Sequence, residues 1–151
     1  MFEPADPDYA ARVTESFGRQ RMMDTLGARL VRIAPGTVEI ELPVRPELCQ
    51  QHGFVHAGAV TTIADTACGY AALSLSAPGM SVLSVEFKAN FLAPAAGVRL
   101  VARGAVKKPG RTLTVCAGDV YAVGAGGDEK LVATMLATMM LMRDRPDLSQ
   151  G

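Results

Sequence analysis

The alternation of apolar and polar positions divides the chain into two helical stretches and six runs of strand character. Val13, Phe17, Met22 and Leu26 put an apolar stripe on a first helix, for which Asp6 is a capping type, Pro7 suits the first turn and Gly27 suits the stop. Two short runs follow, Ala28 to Ala34 and Thr37 to Pro43. They are joined by Pro35-Gly36, which fits the centre of a type II turn and predicts a hairpin. From Ala57 to about Ser76 small and apolar residues lie all round the helical wheel, the pattern of a buried helix. Four β-rich runs complete the pattern: Ser81 to Leu92, Val98 to Lys107, Arg111 to Val123 and Lys130 to Met142. Pro94, Gly97, Pro109-Gly110 and Gly124 to Gly127 separate them.

A buried helix needs a wrapper, and a strongly curved antiparallel sheet is the economical one. The expected class is therefore α+β, a long central helix wrapped by five to six strands. The βαβ alternation of a doubly wound nucleotide-binding sheet is missing. The expected organisation is an N-terminal helical segment over 1–24, a main domain over 25–142 and a polar, frayed tail over 143–151.

Composition narrows the functions. At 151 residues and 49% hydrophobic content the chain is long and apolar enough for one self-sufficient core. Fifteen basic residues balance fifteen acidic ones, so no global field steers the protein onto nucleic acid or anionic lipid. Cys49, Cys68 and Cys116 are odd in number and include no CxxC pair, which points to reduced thiols and a cytoplasmic setting. The opening MFEPADPDYA does not read as a signal peptide, and Asp65 with its threonines breaks the longest apolar run, so no membrane span is expected. His52 and His56 lie four apart without a further ligand at metal-site spacing, and no metal is expected.

The chemistry gathers around Asp65, the single charge in the buried helix. Burying a lone carboxylate costs several kcal/mol unless it is paired, so Asp65 is exposed, structurally bonded or catalytic. Gln50-Gln51-His52-Gly53-Phe54-Val55-His56 leads straight into the helix start at Ala57-Gly58, where free backbone N–H groups favour developing negative charge. A capped helix start with an idle histidine is the plain alternative.

The run His52 to Val60, followed by Ala64-Asp65-Thr66-Ala67, resembles the hot-dog acyl-CoA thioesterases of the phenylacetic-acid-degradation (PaaI) type. Their pattern is N-x-x-G-x-x-H-G-G with a catalytic Asp seven residues on. Ser84 to Pro94 is similar to that family's third strand and its closing F-x-x-P. Here Gln50 stands for the family Asn and Ala57 for the first Gly of the pair. The resemblance implies hydrolysis of an acyl-CoA thioester without a cofactor, coenzyme A being part of the substrate. It implies Asp65 as general base or nucleophile, Ala57, Gly58 and Gln50 at the oxyanion, His56 orienting the loop or polarising the carbonyl, and Ser84 holding the attacking water.

Helix geometry adds a constraint of its own. Asp65 lies eight residues beyond Ala57, about 12 Å along a helix, whereas one carbonyl group must sit about 3 Å from both the attacking atom and the oxyanion donors. Two antiparallel copies of the helix would bring Asp65 of one beside Ala57 of the other. The expected assembly is a homodimer with two shared sites, paired by resemblance into a homotetramer. Lys88, Arg103, Lys107, Lys108 and Arg111 are candidates for the phosphates of coenzyme A, Lys107 and Arg111 foremost, although a solvated turn is often charged. Period-two alternation puts Phe87 and Phe91 on the apolar face of their strand and Ser84 on the opposite one. The rival readings are a hot-dog enoyl-CoA hydratase or dehydratase, using His56 with Asp65, and a non-catalytic acyl-CoA sensor.

Overall fold

The computed structural model describes residues 2–143. In chain order it contains α1 (Tyr9–Gly18), α2 (Arg21–Leu26), β1 (Arg29–Ala34), β2 (Thr37–Pro43), a short 3-10 turn at Pro46–Leu48, α3 (Ala57–Leu73), β3 (Met80–Phe91), β4 (Arg99–Lys108), β5 (Leu113–Val123) and β6 (Glu129–Arg143). The strands form one sheet in the order β1-β2-β4-β5-β6-β3, with every neighbouring pair antiparallel. The sheet curves around α3, giving the α+β architecture that the apolar pattern predicts. Residues 144–151, most of the expected polar tail, lie outside the described residues.

The first helix differs from expectation. Helical structure begins at Tyr9, and Pro7 lies in the turn before it. Asp6 braces that turn by accepting from the Asp8 N–H at 2.9 Å and pairing with Arg12 at 3.2 Å. The stretch then breaks, because Gln20 adopts an extended conformation (φ −85°, ψ 92°) between α1 and α2. The break shifts the helical phase, so Met23 is buried and Met22 is exposed. Gly27 ends α2 in the left-handed region, and Gly36 has the positive φ, 76°, that the type II turn requires.

The helix α3 is buried along most of its length by the concave face of the sheet. Its approach depends on β4 and β5 carrying no side chain where it crosses. A Cβ on Gly104 would lie 2.3 Å from the backbone carbonyl of Ala67, and one on Gly118 would lie 2.9 Å from the Cys68 Sγ. Arg12 fastens the other end of α3, donating to the carbonyls of Ser76 and Ala77 at 2.6 Å and of Leu73 at 3.1 Å. Leu73 is the last residue of α3 and Ser76 and Ala77 follow it closely, so the guanidinium sits at the helix C-terminus, where a cation complements the dipole. No helix among the described residues is long and apolar enough to cross a membrane.

Gly104→Ala is expected to lower the unfolding free energy by about 3 kcal/mol, because backbone on both sides prevents relief of the overlap. Urea denaturation measures this, and a loss below about 1 kcal/mol would show that α3 lifts freely from the sheet.

Candidate active site

Asp65 is the only charged residue of α3 and is partly buried. Ser84 on β3 donates its hydroxyl to Asp65 Oδ1 at 2.7 Å. Simple alternation had set Ser84 on the face opposite Phe87; the structure corrects this. A β-bulge between Ser84 and Glu86 inserts one residue and resets the pleat. Ser84 is paired with Met139 and Phe87 with Ala137, both fully buried, so both now face the helix side of the sheet. Glu86, Lys88 and Asn90 pair with Thr138, Leu136 and Thr134 on the other face.

A cavity of about 230 Å³ opens beside Asp65. Its walls come from α3 (Asp65, Thr66, Gly69, Tyr70, Leu73), from β3 (Met80, Ser81, Val82, Ser84) and from the N-terminal segment (Arg12, Ser16, Arg19, Gln20). The sequence reading missed this last wall. Its signal was present, since 12, 16, 19 and 20 recur at helical spacing on one polar face, but nothing in the sequence says what that face covers. Ser16 and Tyr70 share a hydrogen bond of 3.3 Å. Burial pushes the Tyr70 phenol up from its ordinary value against the opposing pull of Ser16 and Arg19, which keeps it neutral. Gly69 lines the cavity, while Ala64 and Ala72 on the same helix are buried in the core.

The start of α3 is built by the loop before it. Cys49 and Val55 form an isolated bridge, the Gln50 N–H donates to the Phe54 carbonyl at 2.8 Å, and Gly53 turns the chain with φ 85°. The Gln50 side-chain oxygen accepts from the His52 N–H, leaving its NH2 group as the part free to donate to a ligand. His56 caps the helix, its Nδ1 accepting from the Gly58 N–H at 2.8 Å. This corrects the assignment of Gly58 as an oxyanion donor, because its N–H is already taken. A Cβ at Gly58 would come within 3.0 Å of that ring nitrogen, so the glycine makes room for the cap. An accepting Nδ1 places the proton of the neutral imidazole on Nε2. The Ala57 N–H finds no acceptor among the described residues. It borders an open groove of about 650 Å³ lined by Gln50, His56, Ala57, Phe91, Pro94 and Val132, among others.

The groove at Ala57 and the cavity at Asp65 share no lining residue. Within one chain, the structure does not bring these two parts of the expected site together.

The basic candidates separate as well. Arg103 is engaged by Glu129 through two hydrogen bonds, of 2.7 and 2.8 Å, and stacks 4.5 Å over the Tyr121 ring. These bonds hold the Glu129 carboxyl below its usual range, so Arg103 is spoken for rather than waiting for a phosphate. Lys88 bonds Asn90 at 2.5 Å. Lys107, Lys108 and Arg111 are exposed and line neither the cavity nor the groove. They cluster at the end of the sheet where Val106 meets Gly36 and Gly36 meets Ser74, level with the C-terminus of α3.

At two of the three cysteines thiol chemistry is disfavoured by burial, which pushes Cys116 up to about 12 and raises Cys68 too. Among the described residues no group of three His, Cys, Asp or Glu side chains converges as a metal site would require.

The family model of the thioesterase superfamily matches residues 52–126. The crystal structure of a thioesterase family protein from Silicibacter pomeroyi is 52% identical, superposes with a TM-score of 0.88 and covers 90% of this chain and 99% of its own. This chain belongs to the thioesterase superfamily. Its hot-dog fold is of the PaaI type, and the reaction class that follows is thioester hydrolysis. The PaaI protein of the Escherichia coli phenylacetic acid degradation operon shares the fold at 21% identity, with a TM-score of 0.79 over 91% of this chain and 96% of that one. A thioesterase from Haemophilus influenzae does so at 21% identity and 0.76, over 86% and 88%. In this thioesterase the family-model match begins at His52, so all of α1 and α2 lie outside it.

The His56 cap is testable by stability alone. His56→Ala is expected to cost about 1 kcal/mol, and His56→Asn, which restores a short capping side chain, to recover most of it. Equal stability of all three proteins in chemical denaturation would show that the ring contributes nothing to the start of α3.

Proposed function

We propose that this thioesterase hydrolyses acyl-CoA at a site shared by two copies of the chain, Asp65 coming from one and Ala57 from the other. The observation that carries the reading is the separation of a complete oxyanion end from a complete carboxylate end. The free N–H of Ala57 borders one opening, the Asp65–Ser84 pair borders another, and no residue lines both. Eight residues of helix, about 12 Å, hold them apart within a chain. An antiparallel pairing of two α3 helices removes that gap twice over.

The sheet edge favours such a pairing. β3 is a 12-residue edge strand whose helix-side residues Phe87 and Phe91 are 45% and 53% exposed. A long apolar edge of this kind is an aggregation hazard unless another chain covers it. Leu83, Leu113 and Leu136 are also exposed along β3, β5 and β6, which suits a further pairing of dimers into a homotetramer.

In the proposed reaction the thioester oxygen lies against the Ala57 N–H, the Nε2–H of His56 and the NH2 of Gln50, all of them donors. Asp65, oriented by Ser84, takes a proton from water as the water oxygen attacks the carbonyl carbon. Collapse of the tetrahedral intermediate breaks the C–S bond, and the proton held by Asp65 passes to the departing thiolate. The products are the free acid and coenzyme A. Direct attack by Asp65, giving a mixed anhydride that water then opens, uses the same residues. If Lys107 or Arg111 meets the nucleotide phosphates, it comes from the copy that supplies Asp65, since both lie at the opposite end of α3 from Ala57.

Two substitutions remove the chemistry while sparing the fold. Asp65→Asn keeps the shape and the Ser84 bond. Ala57→Pro deletes the N–H at a first helical position, where proline is well tolerated, and His56 already has the extended conformation (φ −60°, ψ 139°) that precedes a proline. Each is expected to lower kcat about 100-fold or more in a thiol-release assay on acyl-CoA. Near-full turnover by folded Asp65→Asn would exclude the proposed mechanism.

A further inference from the structure

The hydroxyl that orients Asp65 has a second neighbour. Ser84 Oγ lies 2.7 Å from Asp65 Oδ1 and 3.5 Å from the sulfur of Met139, and both contacts have the geometry of a donating hydroxyl. Met139 stands directly opposite Ser84 in the β3–β6 pairing and opposite Thr114 in the β5–β6 pairing. It is fully buried, whereas Ser84 is exposed in the single chain. Met139 thus joins the core of the sheet to the Asp65–Ser84 pair. The bulge between Ser84 and Glu86 adjoins this contact, and bulges beside active sites commonly re-aim a side chain.

A serine hydroxyl carries one proton and donates to one acceptor at a time. While Asp65 is ionised it is the stronger of the two acceptors, because a bond to a charged oxygen is charge-assisted. In the proposed reaction Asp65 takes a proton from water and becomes neutral, and that assistance disappears. A Ser84 proton that turned to the attacking water instead would occupy a lone pair of the oxygen that must reach the carbonyl carbon. The Met139 sulfur offers a different acceptor, reached by rotation about the Cβ–Oγ bond of Ser84. A thioether accepts weakly, so it holds the hydroxyl while Asp65 is neutral and gives it back once the proton has passed to the thiolate. The Ser84 O–H bond stays intact throughout, and only its direction changes.

We propose that Met139 is a positioning residue for the hydrolysis, its sulfur being the second acceptor that keeps the Ser84 hydroxyl beside Asp65 as the carboxylate is neutralised. This rests on the reading of Asp65 as the catalytic carboxylate.

The test is a double-mutant cycle between Met139→Leu and Ser84→Ala, with Asp65→Asn as a control. The assay uses whichever thioester wild type hydrolyses fastest among phenylacetyl-CoA and short-, medium- and long-chain acyl-CoAs. Met139→Leu removes the sulfur and nearly conserves volume, an exchange that cores tolerate, and thermal melting verifies the fold. It is expected to lower kcat about three- to tenfold, the loss of one modest hydrogen bond, with KM within about twofold of wild type. In the Ser84→Ala background the same substitution is expected to change kcat by less than about 1.5-fold, since no hydroxyl is left to hold. Met139→Ile, a second side chain without sulfur, is expected to reproduce both results. An equal loss in the two backgrounds would mark Met139 as packing alone. That outcome, a loss carried by KM, or no loss in the wild-type background overturns the proposal. Full turnover by Asp65→Asn, or no turnover of any thioester by wild type, overturns the underlying reading instead.

Discussion

Gly104 and Gly118 leave two bare places on the inner face of the sheet, and there α3 lies with its backbone almost against β4 and β5. The rest of the molecule follows from that contact. A helix held so closely has no room for long side chains toward the sheet, which accounts for the alanines, glycines and Cys68 along it. It also has almost no solvent-facing stripe, so one carboxylate within it is either a liability or a tool. Asp65 lies on the uncovered side, near the β3 edge, where Ser84 gives it a hydrogen bond and one chain alone leaves a cavity open.

The same contact fixes what the helix start can do. His56 uses its Nδ1 to hold the Gly58 N–H, which stiffens the first turn and turns its remaining proton outward. The Ala57 N–H stays free beside it. Oxyanion donors are most useful when they do not reorganise as charge develops, and a capped helix end anchored by a buried helix meets that condition. The rigidity that prepares the two ends also keeps them apart, and only a second copy of the chain resolves that conflict.

Most of the fold was legible because its signals are local and periodic. The Pro35-Gly36 turn, the uncharged helix and the four late strands leave patterns that tertiary packing did not override. The errors arose where one residue changes a phase. Gln20 interrupts the first helix and exchanges Met22 for Met23, and the bulge after Ser84 moves that serine to the helix side, neither event having a short-range signature. Gly58 illustrates a different gap. Its place in the motif pointed to an oxyanion donor, but which N–H groups a neighbouring ring consumes is visible only in three dimensions. The Arg12–Gln20 wall was hidden for the same reason, since a polar helix face reads as solvated until something is found opposite it.

Subunit complementation tests the shared site most directly. Asp65→Asn and Ala57→Pro chains, each inactive alone, would be unfolded together, refolded as a mixture and assayed for release of coenzyme A. If each site takes Asp65 from one chain and Ala57 from the other, half of randomly formed dimers are mixed and one of their two sites is intact, so activity recovers to about one quarter of wild type. If one chain supplies both residues, every site in the mixture carries a lesion. Activity that stays at the level of the separate variants, with mixed dimers demonstrated, would contradict the account.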